Sequence, residues 1–164
     1  MVVKYLLAVL FVVCVTPASV VAKTTIGWLE NVAIYPGNIP VQAKIDSGAS
    51  TSSLHCNCSA AYSKNGEQWV KFEVFDRQGK TVPIERKITG KIKIKRHFGE
   101  TQTRLVVRMG ICIGNYYAET DVNLIDRSGF KFPLLIGRDY LEKAFLIDPQ
   151  LTYTSKPQCD NVIK

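Results

Sequence analysis

Two short segments hold the residues whose types and spacing could do chemistry. The first, Asp46-Ser47-Gly48-Ala49-Ser50, follows directly on the alternating run Ile39 to Ile45. A carboxylate at the end of a strand has little freedom to swing, and Gly48 lets the backbone turn tightly beside it. Ser47 offers a short hydroxyl that can hydrogen-bond locally and stiffen the loop. Such a carboxylate can act on water or on a substrate oxygen as a general base or acid. Taken alone, an Asp-Ser-Gly tripeptide is equally at home in a plain turn. The second segment, Leu134-Leu135-Ile136-Gly137-Arg138-Asp139, lies about 90 residues further on and joins an apolar run to a glycine, an arginine and the start of a candidate helix.

The elements that must position these residues are mostly strands. Beyond residue 22 the apolar residues recur with a period near 2 almost everywhere. This predicts strands over Ile26–Ile34, Ile39–Ile45, Thr51–Leu54, Trp69–Phe75, Val82–Lys95, Thr103–Ile113, Tyr116–Ile125 and Phe132–Ile136, with Val82–Lys95 either one long strand or two broken near Gly90. Turns are expected at Pro36-Gly37-Asn38, Asp76 to Gly79, His97 to Glu100, Gly114-Asn115 and Ser128-Gly129. Only Arg138 to Phe145 reads as a helix, of about two turns, because Tyr140, Leu141, Ala144 and Phe145 recur at three- and four-residue spacings. Many short strands with a single short C-terminal helix imply an all-β closed or sandwiched barrel. There is no internal repeat and no low-complexity linker.

The 164 residues suffice for one ordinary domain. Residues 1–22 are expected to be a signal peptide: Lys4 precedes the apolar run Leu6 to Val15, followed by Pro17 and a small-residue approach to Ala22. The apolar run is short for a bilayer span, so a membrane association is expected only through an uncleaved signal segment. Residues 23–164 then form the folded domain in an exported, periplasmic space. Cys14 falls in the removed segment, which leaves Cys56, Cys58, Cys112 and Cys159, an even set suited to disulfides. Cys56 and Cys58 are expected to point apart, which favours bridges to Cys112 and Cys159. The formal charge is +7, or +6 without Lys4, a balance that favours anionic neighbours such as acidic peptides. Lys91, Lys93 and Lys95 alternate with Ile92 and Ile94 as on the wet face of a strand, so no nucleic-acid partner is expected.

Asp46-Ser47-Gly48-Ala49 followed by Leu135-Ile136-Gly137-Arg138-Asp139 resembles the retropepsin family of aspartic proteases. In that family an Asp-Thr/Ser-Gly-Ala loop precedes an apolar-apolar-Gly-Arg segment that leads into a short helix. More narrowly, Lys44 to Ala49 with Thr51 to His55, Phe132 to Arg138 and Ile147-Asp148-Pro149 look like a bacterial group labelled ATP-dependent zinc proteases. The resemblance spans roughly Ile26 to Tyr153 and implies the closed acid-protease barrel. It also implies a homodimer: with one Asp-Ser-Gly copy per chain, two chains each supply an Asp46 at a two-fold axis. Two such carboxyl groups share one proton, because like charges about 3 Å apart resist joint ionisation, and they titrate as a unit. One then activates water and the other protonates the carbonyl oxygen. By the same resemblance Leu135, Ile136 and Gly137 support the loop, Arg138 braces it through an ion pair, and a covering flap falls within Val82 to Glu100.

The group's label finds no residues to carry it. The chain has neither a Gly-x-x-x-x-Gly-Lys-Ser/Thr loop for triphosphate nor a His-Glu-x-x-His pair for zinc, so no cofactor and no metal are expected. Of the two histidines, His55 and His97, the first lies near the loop and is read as a histidine on the surface or behind the site. Asp139 is placed to cap a helix, and Asp148, before Pro149, to make a turn. The expected activity is hydrolysis of a peptide or protein substrate. Against it stand a peptide- or partner-binding protein of the same fold and, less favoured, a zinc-dependent hydrolase.

Overall fold

The computed structural model describes residues 22–58, 60–95 and 100–159. The signal segment through residue 21, with Cys14, and residues 96–99 of the expected His97–Glu100 reversal lie outside the described residues. In chain order the strands are β1 (Thr24–Tyr35), β2 (Ile39–Ile45), β3 (Ser52–His55), β4 (Asn57–Cys58), β5 (Tyr62–Lys64), β6 (Glu67–Phe75), β7 (Thr81–Ile94), β8 (Gln102–Ile113), β9 (Tyr116–Ile125), β10 (Leu134–Ile136) and β11 (Phe145–Thr152), with helix α1 (Arg138–Leu141) between the last two.

Six strands close a barrel in the order β1-β2-β10-β3-β9-β8, shut by pairing of Ala33 to Tyr35 with Cys112 to Gly110. Alternation along β2 explains its place: Ile39, Val41, Ala43 and Ile45 are buried while Pro40 and Lys44 are exposed. Those side chains pack with Ile26, Val32, Ile34, Val107, Met109, Ile111, Leu134 and Ile136. Each such burial contributes roughly 1.5–3 kcal/mol, and closure leaves the six strands few bare edges.

The long β7 belongs to two layers. Its first half, Thr81 to Lys87, pairs with β6 in an outer sheet that also holds β4 and β5, and its second half, Ile88 to Ile94, pairs with β8 of the barrel. A register shift between Ile88 and Gly90 marks the hand-over, so the break expected near Gly90 is a bulge within one continuous strand.

Three expectations need correcting. The helix is one turn, not two, because Phe145 leaves it to pair with Thr24 and begin β11, parallel to β1. Phe145 is buried as the apolar spacing required, but it stacks on Tyr140 from a strand. Asp148-Pro149 accordingly lies within β11, where Asp148 Oδ1 accepts from Gln150 N at 2.8 Å beside a register shift against Gly27 and Leu29. The disulfides are Cys56–Cys58 and Cys112–Cys159, not bridges between the two pairs. Residues two apart on a strand share a face, and Cys56 sits in the break between β3 and β4, where the chain contracts to a Cα–Cα distance of 5.1 Å. Cys112 meets Cys159 because the segment after β11 runs back past Gly114, where Gln158 N donates to the Gly114 carbonyl at 2.7 Å.

Candidate active site

Asp46 continues the pairing of β2 with β10 by one residue, its N–H donating to the Ile136 carbonyl at 2.9 Å. The Ala49 N–H then closes a turn onto the Asp46 carbonyl at 3.3 Å. Within the turn, Gly48 N donates to Asp46 Oδ1 at 2.9 Å and so aims the carboxylate. Gly48 is not in the left-handed region; a Cβ there would stand 3.1 Å from that carboxylate oxygen, a tight contact that the Asp46 side chain would have to ease.

The second segment locks this loop from across the barrel. Gly137 lies against the loop so closely that a Cβ would meet the Ser50 carbonyl oxygen at 2.5 Å and the Thr51 carbonyl carbon at 2.7 Å. Beyond it the first N–H groups of α1 are spent on the loop, Arg138 N donating to Ala49 O at 2.9 Å and Asp139 N to Ser50 O at 3.0 Å. Gly137 N donates to the buried Ser52 hydroxyl at 3.1 Å. The Arg138 guanidinium reaches Ser47 O at 2.7 Å and Ser50 Oγ at 2.9 Å. The brace expected of Arg138 is therefore a pair of hydrogen bonds to a carbonyl and a hydroxyl in place of an ion pair. Ser47 takes part through its carbonyl, and the side-chain hydroxyls that hold the loop belong to Ser50 and Ser52. Asp139 does not cap α1: the N-cap is Gly137, with no side-chain cap bond. Leu135 is half-buried and Ile136 fully buried behind the loop.

Asp46 opens on a cleft of about 530 Å³ whose opposite wall is Ile92 and Ile94 of β7. These alternate with the exposed Lys91 and Lys93, and both lie within Val82 to Glu100, the range expected for a flap. Residues 96–99, within the range expected for a flap, lie outside the described residues. Lys44, Arg104 and Arg127 bring positive charge to the same cleft. Arg127 is buried, donates from Nε to Phe132 O at 3.4 Å, and lies over the Phe130 ring at 4.4 Å. Burial, and secondarily the Arg104 charge, pull its guanidinium below the ordinary range, while Asp46 pulls the other way. Arg104 donates to Asn123 Oδ1 at 3.0 Å, and Asn123 in turn ties Ser53 and the Ser52 carbonyl. Sequence reasoning missed Arg104, Arg127 and Asn123; no local motif surrounds them, and only the closing of β8 and β9 against β3 brings them to Asp46.

His55 is partly buried and does not line the Asp46 cleft. Its Nδ1 accepts from the Arg127 backbone N–H at 2.8 Å, and its ring stacks on Phe75. Asp126 stands 3.6 Å from the same nitrogen, beyond hydrogen-bond reach. Its carboxyl is held below the usual range by the Ser128 N–H and hydroxyl, in the turn predicted at Ser128-Gly129. Among the described residues, no three His, Cys, Asp or Glu side chains gather where they could hold a metal ion.

The family profile described as "RimB-like: Retropepsin-like aspartic endopeptidase RimB" matches residues 25–158. This chain belongs to the RimB-like family. A solved structure with the family's barrel is that of Lpg0085 from Legionella pneumophila subsp. pneumophila str. Philadelphia 1, a protein of unknown function: it is 32% identical, with a TM-score of 0.68 over 79% of this chain and 96% of that one. Curated relatives carry another name. A protein of Desulfotalea psychrophila called "Probable alpha-L-glutamate ligase" is 33% identical over 80% of this chain, and one of the same name from Shewanella halifaxensis is 31% identical over 73%. This RimB-like chain spans only 29% and 27% of those two proteins, so it corresponds to one part of them.

Proposed function

We propose that this RimB-like chain is an aspartic-type endopeptidase that works as a homodimer, each copy supplying one Asp46. The observation that carries the reading is the locked loop: Gly48 aims the Asp46 carboxylate while Gly137 and Arg138 hold its backbone from the far side. A group so restrained needs little reorganisation when it takes a proton from water. Ser47, Gly48, Ser50 and Arg138 are all exposed beside it, which suits a half-site that a second copy completes. The two facing carboxyls would hold one proton between them, one drawing the proton from water as it attacks the peptide carbon and the other protonating the carbonyl oxygen.

The cleft favours acidic substrates. Lys44, Arg104 and Arg127 line it with Asp46, and a desolvated guanidinium suits a substrate carboxylate. The relatives' printed name concerns glutamate, and a hydrolytic domain joined to a glutamate-ligating chain would meet glutamate-rich peptides. We further propose export with removal of residues 1–22 and action in the periplasm, in keeping with two disulfides.

The test is hydrolysis of glutamate-rich, neutral and lysine-rich peptides by residues 23–164, with sedimentation at each concentration. Asp46→Asn is expected to lower turnover about 10³-fold or more while the far-UV spectrum and dimer persist. Undiminished cleavage by that variant excludes the assignment. A strict monomer that binds peptides and cuts none would instead establish a binding protein. Activity abolished by a chelator and restored by zinc would move the chemistry to a metal.

A further inference from the structure

The two disulfides differ in what they constrain and in what can reach them. Cys112 and Cys159 are both buried and lie 47 positions apart, so their bond removes a large loop's worth of freedom from the unfolded chain. Cys56–Cys58 encloses Asn57 alone and can restrict little beyond its own neighbourhood. Its sulfurs are also unequally placed, Cys56 being buried and Cys58 exposed. Cys58 lines two separate cavities, one of about 480 Å³ with Phe72 and Glu85 and one of about 580 Å³ with His55 and Arg104. A reactant therefore has open space on both sides of it.

The bond also marks a boundary. On one side Cys56 N donates to the Ile125 carbonyl of the barrel at 3.2 Å. On the other, Asn57 and Cys58 form the whole of β4 and pair with Glu73 and Phe72 of the outer sheet. Two residues of pairing are a weak hold, and the disulfide ties β4 back to the barrel-held Cys56 at the point where the chain passes from barrel to outer sheet, fixing the start of β4 beside β6.

We propose that Cys56–Cys58 is a thiol-exchange site, opened in the folded protein by a dithiol reductant, and that opening it releases β4 from β6. A thiolate of the reductant attacks Cys58 Sγ; the Cys56–Cys58 bond breaks, and Cys56 leaves as a thiolate that takes a proton from water. The reductant's second thiol, deprotonated, then attacks the mixed disulfide, forming the reductant's own disulfide and freeing Cys58. Two electrons pass from the dithiol to the protein, and the reverse sequence restores the bond. The inference rests on the placement of the bond and not on the peptidase reading.

The experiment treats folded residues 23–164 with dithiothreitol, blocks free thiols with an alkylating agent and locates them by peptide mass. Cys56 and Cys58 are expected to be labelled at least about tenfold faster than Cys112 and Cys159, as access controls exchange, with the far-UV spectrum unchanged. Amide hydrogens of residues 57, 58, 72 and 73 should exchange faster after reduction, and those of β1 and β2 should not. The double variant Cys56→Ser with Cys58→Ser should fold and show the same fast exchange without reductant. Simultaneous loss of both bridges, reduction only in denaturant, unaltered exchange in β4 and β6, or failure of the double variant to fold would each overturn the proposal.

Discussion

The loop end of the barrel and the outer sheet are held by different means. Around Asp46 the contacts are backbone to backbone and cross about 90 residues of chain: Asp46 to Ile136, Arg138 to Ala49, Asp139 to Ser50. They leave so little room that Gly137 admits no side chain. The outer sheet is held by the β6–β7 ladder and by Val70, Phe72, Val74 and Ile84 buried in the core, and on its exposed side it carries the pairs Lys64 with Glu85 and Lys87 with Glu67 and the Tyr62 hydroxyl against Glu85. That last contact pushes the Tyr62 phenol up to about 12, the Glu85 hydrogen bond being the larger cause. Exposed ion pairs are worth little, whereas a close-packed crossing tolerates no added atom. A backbone crossing that admits no side chain stands behind Asp46, whereas the exposed pairs of the outer sheet can be lost at little cost.

That contrast can be broken at graded points. Gly137→Ala should have the largest effect, about 3 kcal/mol of lost stability with hydrolysis falling in step, because its Cβ meets loop backbone and cannot turn aside; an unmoved melting temperature would refute the crossing. Ser52→Ala should cost about 2 kcal/mol in chemical denaturation by leaving the Gly137 N–H buried and unpaired. Arg127→Met should raise KM for glutamate-rich peptides about tenfold, some 1.4 kcal/mol, with kcat little changed and neutral peptides unaffected. An equal loss on both peptide types would place Arg127 in the scaffold and not in recognition. Smallest of all, Lys87→Ala in the outer sheet should move the unfolding midpoint by no more than about two degrees; a larger drop would erase the difference between the regions.

Residues adjacent in the chain made much of this protein legible. Alternation along Ile39 to Ile45 located β2 and hence Asp46 at its end, and the apolar run before Gly137 located β10. Of the two readings of Val82 to Lys95 the single long strand holds, with a bulge at Gly90, where glycine weakens a strand from within. The two loop segments could be joined before any fold was known, since together they resemble a family pattern.

By itself, then, the sequence determined the strand-rich class, the acid at a strand end and the glycine-arginine segment opposite it, all of which depend on side-chain type and local period. Only the tertiary structure decided that Cys112 meets Cys159, that Phe145 abandons a helix for the edge of β1, and that Arg104 and Arg127 arrive beside Asp46. Those outcomes rest on contacts between distant parts of the chain, whose free energy comes from closing the barrel and is not encoded in any short stretch of residues.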